Sequence, residues 1–172
     1  EIYSALSTLA DFPIKQKIIT YIEKKHIRYV HDFVVSGQLD ADYLKKFYNI
    51  EKNIYVLYNY PNYKEFINSD IIRQNLQISA DKTILLYQGM LLAGRGLIPV
   101  MDAIKISTKY VLVILGAGKY EAELRKHAEL LNISSRVYFS GNIPYEELHS
   151  WTCSADVGLC NIEPISKSYY YA

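Results

Sequence analysis

From residue 84 to residue 160 one unit recurs: a short apolar run, a glycine that closes it, and a stretch with helical spacing. The apolar runs are residues 84–88, Tyr110–Leu115 ("YVLVIL") and residues 137–140 ("VYFS"); Gly89, Gly116 and Gly141 close them. The amphipathic stretches that follow cover about residues 97–107, 120–131 and 145–153. A fourth apolar run, residues 157–160, comes after Ala155-Asp156. Strands that alternate with amphipathic helices bury their apolar sides by forming a parallel sheet with right-handed crossovers. The pattern therefore predicts an α/β fold: a Rossmann-like parallel sheet with helices on both faces. Such sheets bind ligands beyond the carboxyl ends of their strands.

Upstream the texture differs. Residues 11–25 carry Ile14, Ile18, Ile19 and Ile22 at helical spacing among charges. Residues 28–35, "RYVHDFVV", read as a strand. Ser36 then offers an N-cap, with Asp40 and Asp42 near the positive end of a helix running to about Tyr48. Residues 53–59, "NIYVLYN", read as a second short strand, and "NYPNY" as a turn around Pro61. Beyond it the chain is polar and weakly periodic. Residues 63–80 thus read as a linker with a short helix, dividing residues 1–62 from residues 81–172 as parts of two domains. The chain starts at Glu1 and stops at Ala172 just after "SYYY", with no turn or charge cluster, and reads as a piece of a longer protein.

Several functional classes are disfavoured. With 19 basic and 18 acidic residues the formal net charge is +1, so there is no electrostatic footprint for nucleic acid. No apolar run approaches the ~20 residues of a membrane span. Cys153 and Cys160 lack disulfide-framework or zinc spacing and read as buried, reduced thiols. The 4 histidines have no ligand spacing. The 17 tyrosines are scattered, and most read as half-buried core edges rather than stacking platforms. Trp151 reads as core. "GAGKYE" lacks the third glycine of a dinucleotide fingerprint, since Glu121 stands there, and no Walker motif is present.

The stretch "ILLYQGMLLAGRGL" (residues 84–97) leaves its strand through Gly89 and reaches Gly94-Arg95-Gly96 before a helix. It reads either as a tight turn with a solvated arginine or as a phosphate cradle. Glycine admits close backbone approach, arginine presents a fork of donors, and a helix N-terminus adds unpaired N–H groups. Likewise Gly116, Gly118 and Gly141 fit ordinary strand-to-helix turns or a backbone surface that a ligand approaches. Glu163, in "CNIEP", would place a carboxylate at the same edge.

Taken in order, "YQGMLLAGRGL", "YVLVILGAGKYEAEL" and "RVYFSGNIPYEELHSWTCSADVGL" resemble the donor-sugar domain of the retaining group 1 glycosyltransferases of GT-B fold. Residues 29–63 are similar to the end of that family's acceptor domain. The resemblance implies transfer of a sugar from a nucleotide-sugar donor to a glycan or lipid-linked acceptor, in cell-surface polysaccharide synthesis. It implies retention of configuration, no metal and no cofactor, and a cytoplasmic protein with possible peripheral membrane association through the missing N-terminal domain. By the same resemblance, Gly89 lets the donor diphosphate approach and Arg95 occupies the family's diphosphate-binding lysine position. Met90 stands where the family often has arginine. Gly116 and Gly118 match the second glycine turn. Gly141, Asn142 and Ile143 match the loop that reads the nucleobase, and Glu163 lies near the sugar. The family's paired-glutamate motif would begin at about Tyr171, which is not acidic. The catalytic residues therefore stay unassigned, and this piece by itself is expected to be inactive. A non-catalytic nucleotide- or sugar-binding module, and a nucleotide-sugar epimerase of the same fold, remain alternatives.

Overall fold

The computed structural model describes residues 12–165. Their contacts divide the chain into two compact units, one of residues up to Asn62 together with those from Glu163 on, the other Tyr63–Ile162.

The first unit opens with α1 (Pro13–His26), whose proline at the start needs no N–H partner. After a 3₁₀ turn come β1 (Phe33–Val35), α2 (Gln38–Tyr48) and β2 (Ile54–Val56), with the two strands parallel and Phe33 opposite Ile54. Ala41, Leu44 and Tyr48 of α2 are buried, as is Phe33. The Tyr48 hydroxyl donates to Glu23 Oε2 of α1 at 2.6 Å. Both strands are shorter than the sequence suggests. Residues 27–29 form the 3₁₀ turn, and His31 and Asp32 are exposed, because pairing reaches only as far as three-residue β2. The cap of α2 is Gly37 rather than Ser36, with no side-chain cap bond; Asp40 does lie in its first turn. The helical spacing of α1 is real, but Ile14, Ile18 and Ile22 are exposed.

Residues 63–80 belong to the second unit. Their first part is exposed coil, but α3 (Ile71–Leu76) seats Ile72 in the core, fully buried. The main sheet follows: β3 (Thr83–Gln88), α4 (Leu97–Lys105), β4 (Tyr110–Leu115), α5 (Glu121–Leu130), β5 (Val137–Gly141), α6 (Tyr145–Cys153) and β6 (Val157–Gly158). All pairings are parallel, in the order β5-β4-β3-β6. β4 is central, which explains its unbroken apolar run: Leu112 and Ile114 face one layer, Val111, Val113 and Leu115 the other. On the first face α4 and α5 contribute Met101, Ile104, Leu124 and Ala128. On the second, α3 and α6 contribute Ile72 and Trp151. Each of the Met, Ile and Leu side chains among these contributes about 1.5–3 kcal/mol by leaving water.

The corner between α6 and β6 locks the second layer. Ser154 Oγ accepts the Ile72 N–H at 3.0 Å. Asp156 Oδ2 accepts the Ile84 N–H at 2.7 Å and pairs with Arg73 at 2.8 Å. The "Ala-Asp-Val" sequence is thus a staple joining α3, β3 and β6.

Two sequence readings are corrected. Many tyrosines are exposed rather than half-buried, Tyr60 by 75% and Tyr63 by 88%, because the coil around Pro61 offers no layer to cover them. Both cysteines are free, but Cys153 is half-buried and Cys160 exposed, since β6 ends at Gly158 before the latter. No helix among the described residues is long and apolar enough to cross a membrane.

Candidate functional site

The connections β3–α4–β4–α5–β5 move outward along one side of β3; the next, through α6, returns to place β6 on its other side. Strand order therefore reverses between β3 and β6, and the carboxyl edge there is where a doubly wound sheet opens a crevice.

The loops at this edge are interlocked. The Gly89 N–H donates to the Leu115 carbonyl at 2.9 Å, and the Leu91 N–H to the Ala117 carbonyl at 3.1 Å. The Gly116 N–H donates in turn to the Gly141 carbonyl at 2.7 Å. Backbone lies so close that a Cβ on Gly116 would fall 2.0 Å from the Gly89 carbonyl oxygen, and one on Gly118 would fall 2.2 Å from that of Leu91. These glycines are required by loop packing. Gly141 is different: its φ of +68° favours glycine, while a Cβ there would meet nothing within 4 Å.

Above this floor opens a cleft of about 500 Å³. Gly89, Met90, Gly116, Asn142 and Ile143 line it, together with Gln88, Leu115, Ala117 and Leu148. The lining is mostly apolar backbone and side chain, with two amides, a character suited to holding a flat or sugar-like group by shape and a few hydrogen bonds. The Thr152 hydroxyl lies 2.9 Å from Gln88 Oε1 and 2.8 Å from the Leu148 carbonyl, so α6 steadies Gln88 at the cleft wall.

Half-buried Arg95 lies on the same β3–α4 loop, directly before Gly96, the left-handed N-cap of α4. Asn161, just past β6, donates from Nδ2 to the Gly96 carbonyl at 2.5 Å. The carboxyl of Asp81, held below the usual carboxylate range by a hydrogen bond from Ser79 and by Lys82, precedes β3 and so belongs to the opposite edge.

The model of the glycosyl transferases group 1 family matches residues 68–163, more than half of the chain. The chain belongs to that family. Among solved structures, sucrose-phosphate synthase from Thermosynechococcus elongatus is 22% identical, with a TM-score of 0.72, over 92% of this chain and 41% of its own. TarM is 15% identical, TM-score 0.59, over 84% and 27%. WaaG, a glycosyltransferase involved in lipopolysaccharide biosynthesis, is 22% identical, TM-score 0.56, over 75% and 37%. These likenesses show the fold, part of the GT-B arrangement. The chain spans about two fifths of the first of them or less of the others. No curated protein is similar enough in sequence to match.

Within this group 1 framework, the structure gathers five of the residues singled out from sequence, Gly89, Met90, Gly116, Asn142 and Ile143, around one cleft. Arg95, Gly118 and Gly141 lie on the same loops without lining it, and Glu163 is grouped with the other unit. Gln88 and Leu115 escaped the sequence reading although each ends a strand at the ligand edge. Asn161 too follows a strand at that edge, just past β6, whereas Leu148, inside α6, had no such signal.

Proposed function

We propose that the protein transfers a sugar from a nucleotide-sugar donor to a glycan or lipid-linked acceptor, with retention of configuration, in cell-surface polysaccharide synthesis. The observation that carries this reading is the cleft at the carboxyl ends of β3, β4 and β5, with an arginine-bearing turn and a helix N-terminus further along the β3–α4 loop that lines it. Family membership supplies the reaction class. As the bond between sugar and diphosphate breaks, negative charge grows on the leaving diphosphate. Fixed donors aimed at that charge stabilise the transition state more than the ground state. Arg95 and the N–H groups opening α4 are the donors in this role. Asn142 and Ile143 meet the base from the β5–α6 loop, and the apolar wall at Leu148 packs beside it. In a GT-B enzyme the reaction takes place in the groove between two domains, so we also propose that this chain alone transfers no sugar.

The test replaces Arg95 by alanine in the full-length protein and measures donor-dependent transfer. Loss of a charge-assisted hydrogen bond of about 1.5–3 kcal/mol lowers kcat/KM for the donor about 10–150-fold. Unchanged kinetics at subsaturating donor would remove Arg95 from the site. Met90, in the place of a second cation, favours one other reading, a module that binds a nucleotide or sugar without reacting; full-length protein that binds donor yet shows no turnover with any acceptor would select it.

A further inference from the structure

We infer that Asn161 is a positioning residue: it fixes the turn that presents Arg95 to the diphosphate. The inference rests on the donor-site reading above and adds to it a residue from across the strand-order reversal.

Asn161 follows β6, whereas Arg95 and Gly96 follow β3, so the contact joins the loops that leave the two strands between which the order reverses. The Asn161 amide donates from Nδ2 to the Gly96 carbonyl at 2.5 Å. The same carbonyl accepts the first bond of α4 from the Val100 N–H, at 3.4 Å. A carbonyl has lone pairs for both, but the nearer partner by far is Asn161. The side chain of a distant loop thus sets the direction of the peptide that opens α4.

The backbone fit is equally close. Gly96 is buried and left-handed, with φ +66°. A Cβ on it would fall 2.0 Å from the Asn161 carbonyl oxygen and 2.6 Å from Nδ2. Gly96 is therefore glycine for two reasons, its φ and the pressure of Asn161. Asn161 Oδ1 is buried without a partner among the described residues. Turning the amide over would give Oδ1 the place of Nδ2 and set two acceptors against each other at Gly96. The donor orientation is the one that holds.

A chain that turns through Gly94-Arg95-Gly96 with two positive-φ glycines has wide backbone freedom. Donors stabilise a developing charge well only when they are already in place. The Asn161 clamp removes that freedom at the residue next to Arg95. Its removal loosens the turn, so its effect on ligand is exerted through Arg95.

The experiment is a double-mutant cycle in the full-length protein. UDP, GDP and ADP are titrated calorimetrically against wild type, and the tightest of the three is taken to Arg95→Ala, Asn161→Ala and the double variant, with thermal melts alongside. Asn161→Leu, which keeps volume but has no donor, stands in should the alanine variant fold poorly. Loss of the clamp is expected to weaken binding about tenfold. In the double variant binding should fall no more than about two- to threefold below Arg95→Ala alone, because residues that act through one another are not additive. Multiplying effects would show that Asn161 acts independently of Arg95, and binding at the wild-type level in the Asn161 variants would remove its role; either overturns the inference and leaves the donor-site reading standing. Nucleotide binding untouched by Arg95→Ala, or none by the wild type, removes the reading itself and the inference with it.

Discussion

Replacing Gly116 by alanine probes the interlocked loops directly. The new Cβ would sit 2.0 Å from the Gly89 carbonyl oxygen, and backbone is on both sides of the collision. The φ of +131° adds strain of about 1–3 kcal/mol for any side-chain-bearing residue. To relieve the overlap the Gly89 loop must retreat by about 1.4 Å, since ordinary contacts begin at about 3.4 Å. That retreat strips the bonds from Gly89 N–H to Leu115 and from Leu91 N–H to Ala117, each contributing about 0.5–1.5 kcal/mol. The sum is about 2–6 kcal/mol, a fall in melting temperature of at least about 4 °C for a chain of this size. Gly141→Ala is the control, with φ +68° and nothing within 4 Å of the added atom. It should carry strain alone, about 1–2 kcal/mol. Thermal melts by circular dichroism on the 172-residue chain compare the two. A Gly116→Ala chain that melts at or above the Gly141→Ala chain would refute the argument that loop packing, rather than conformation alone, demands glycine there.

Other outcomes follow from single contacts. Ser154→Ala leaves the buried Ile72 N–H without its acceptor and should destabilise the second unit by about 1–3 kcal/mol, with faster hydrogen exchange at the Ile72 amide; an exchange rate equal to wild type would show that α3 is held by packing alone. Met90→Arg puts a cation at this cleft-lining position and, on the proposed donor-site reading, should tighten nucleoside diphosphate binding in the full-length protein about 3–10-fold. An unchanged dissociation constant would mean that residue 90 does not face the diphosphate.

The sequence alone determined the sheet of the second unit. "YVLVIL" is apolar at every position because β4 is covered on both faces, and "YEELHSWTC" turns Trp151 into the core with Leu148 packed beside it. Such periodicities report burial locally, so strand, helix and fold class were legible, as was the glycine at each strand end. In the first unit the same reasoning overreached: "RYVHDFVV" has strand composition throughout, yet β1 keeps only the residues that β2 can pair. The composition of the 17 tyrosines likewise could not say which had a layer to lie under. What only the tertiary structure decided is which loops touch. The order β5-β4-β3-β6 sets Gly116 against Gly89, brings Leu148 to the wall of the cleft, and delivers Asn161 to the carbonyl of Gly96. No local pattern encodes those meetings, because each joins residues that are neighbours in the sheet and strangers along the chain.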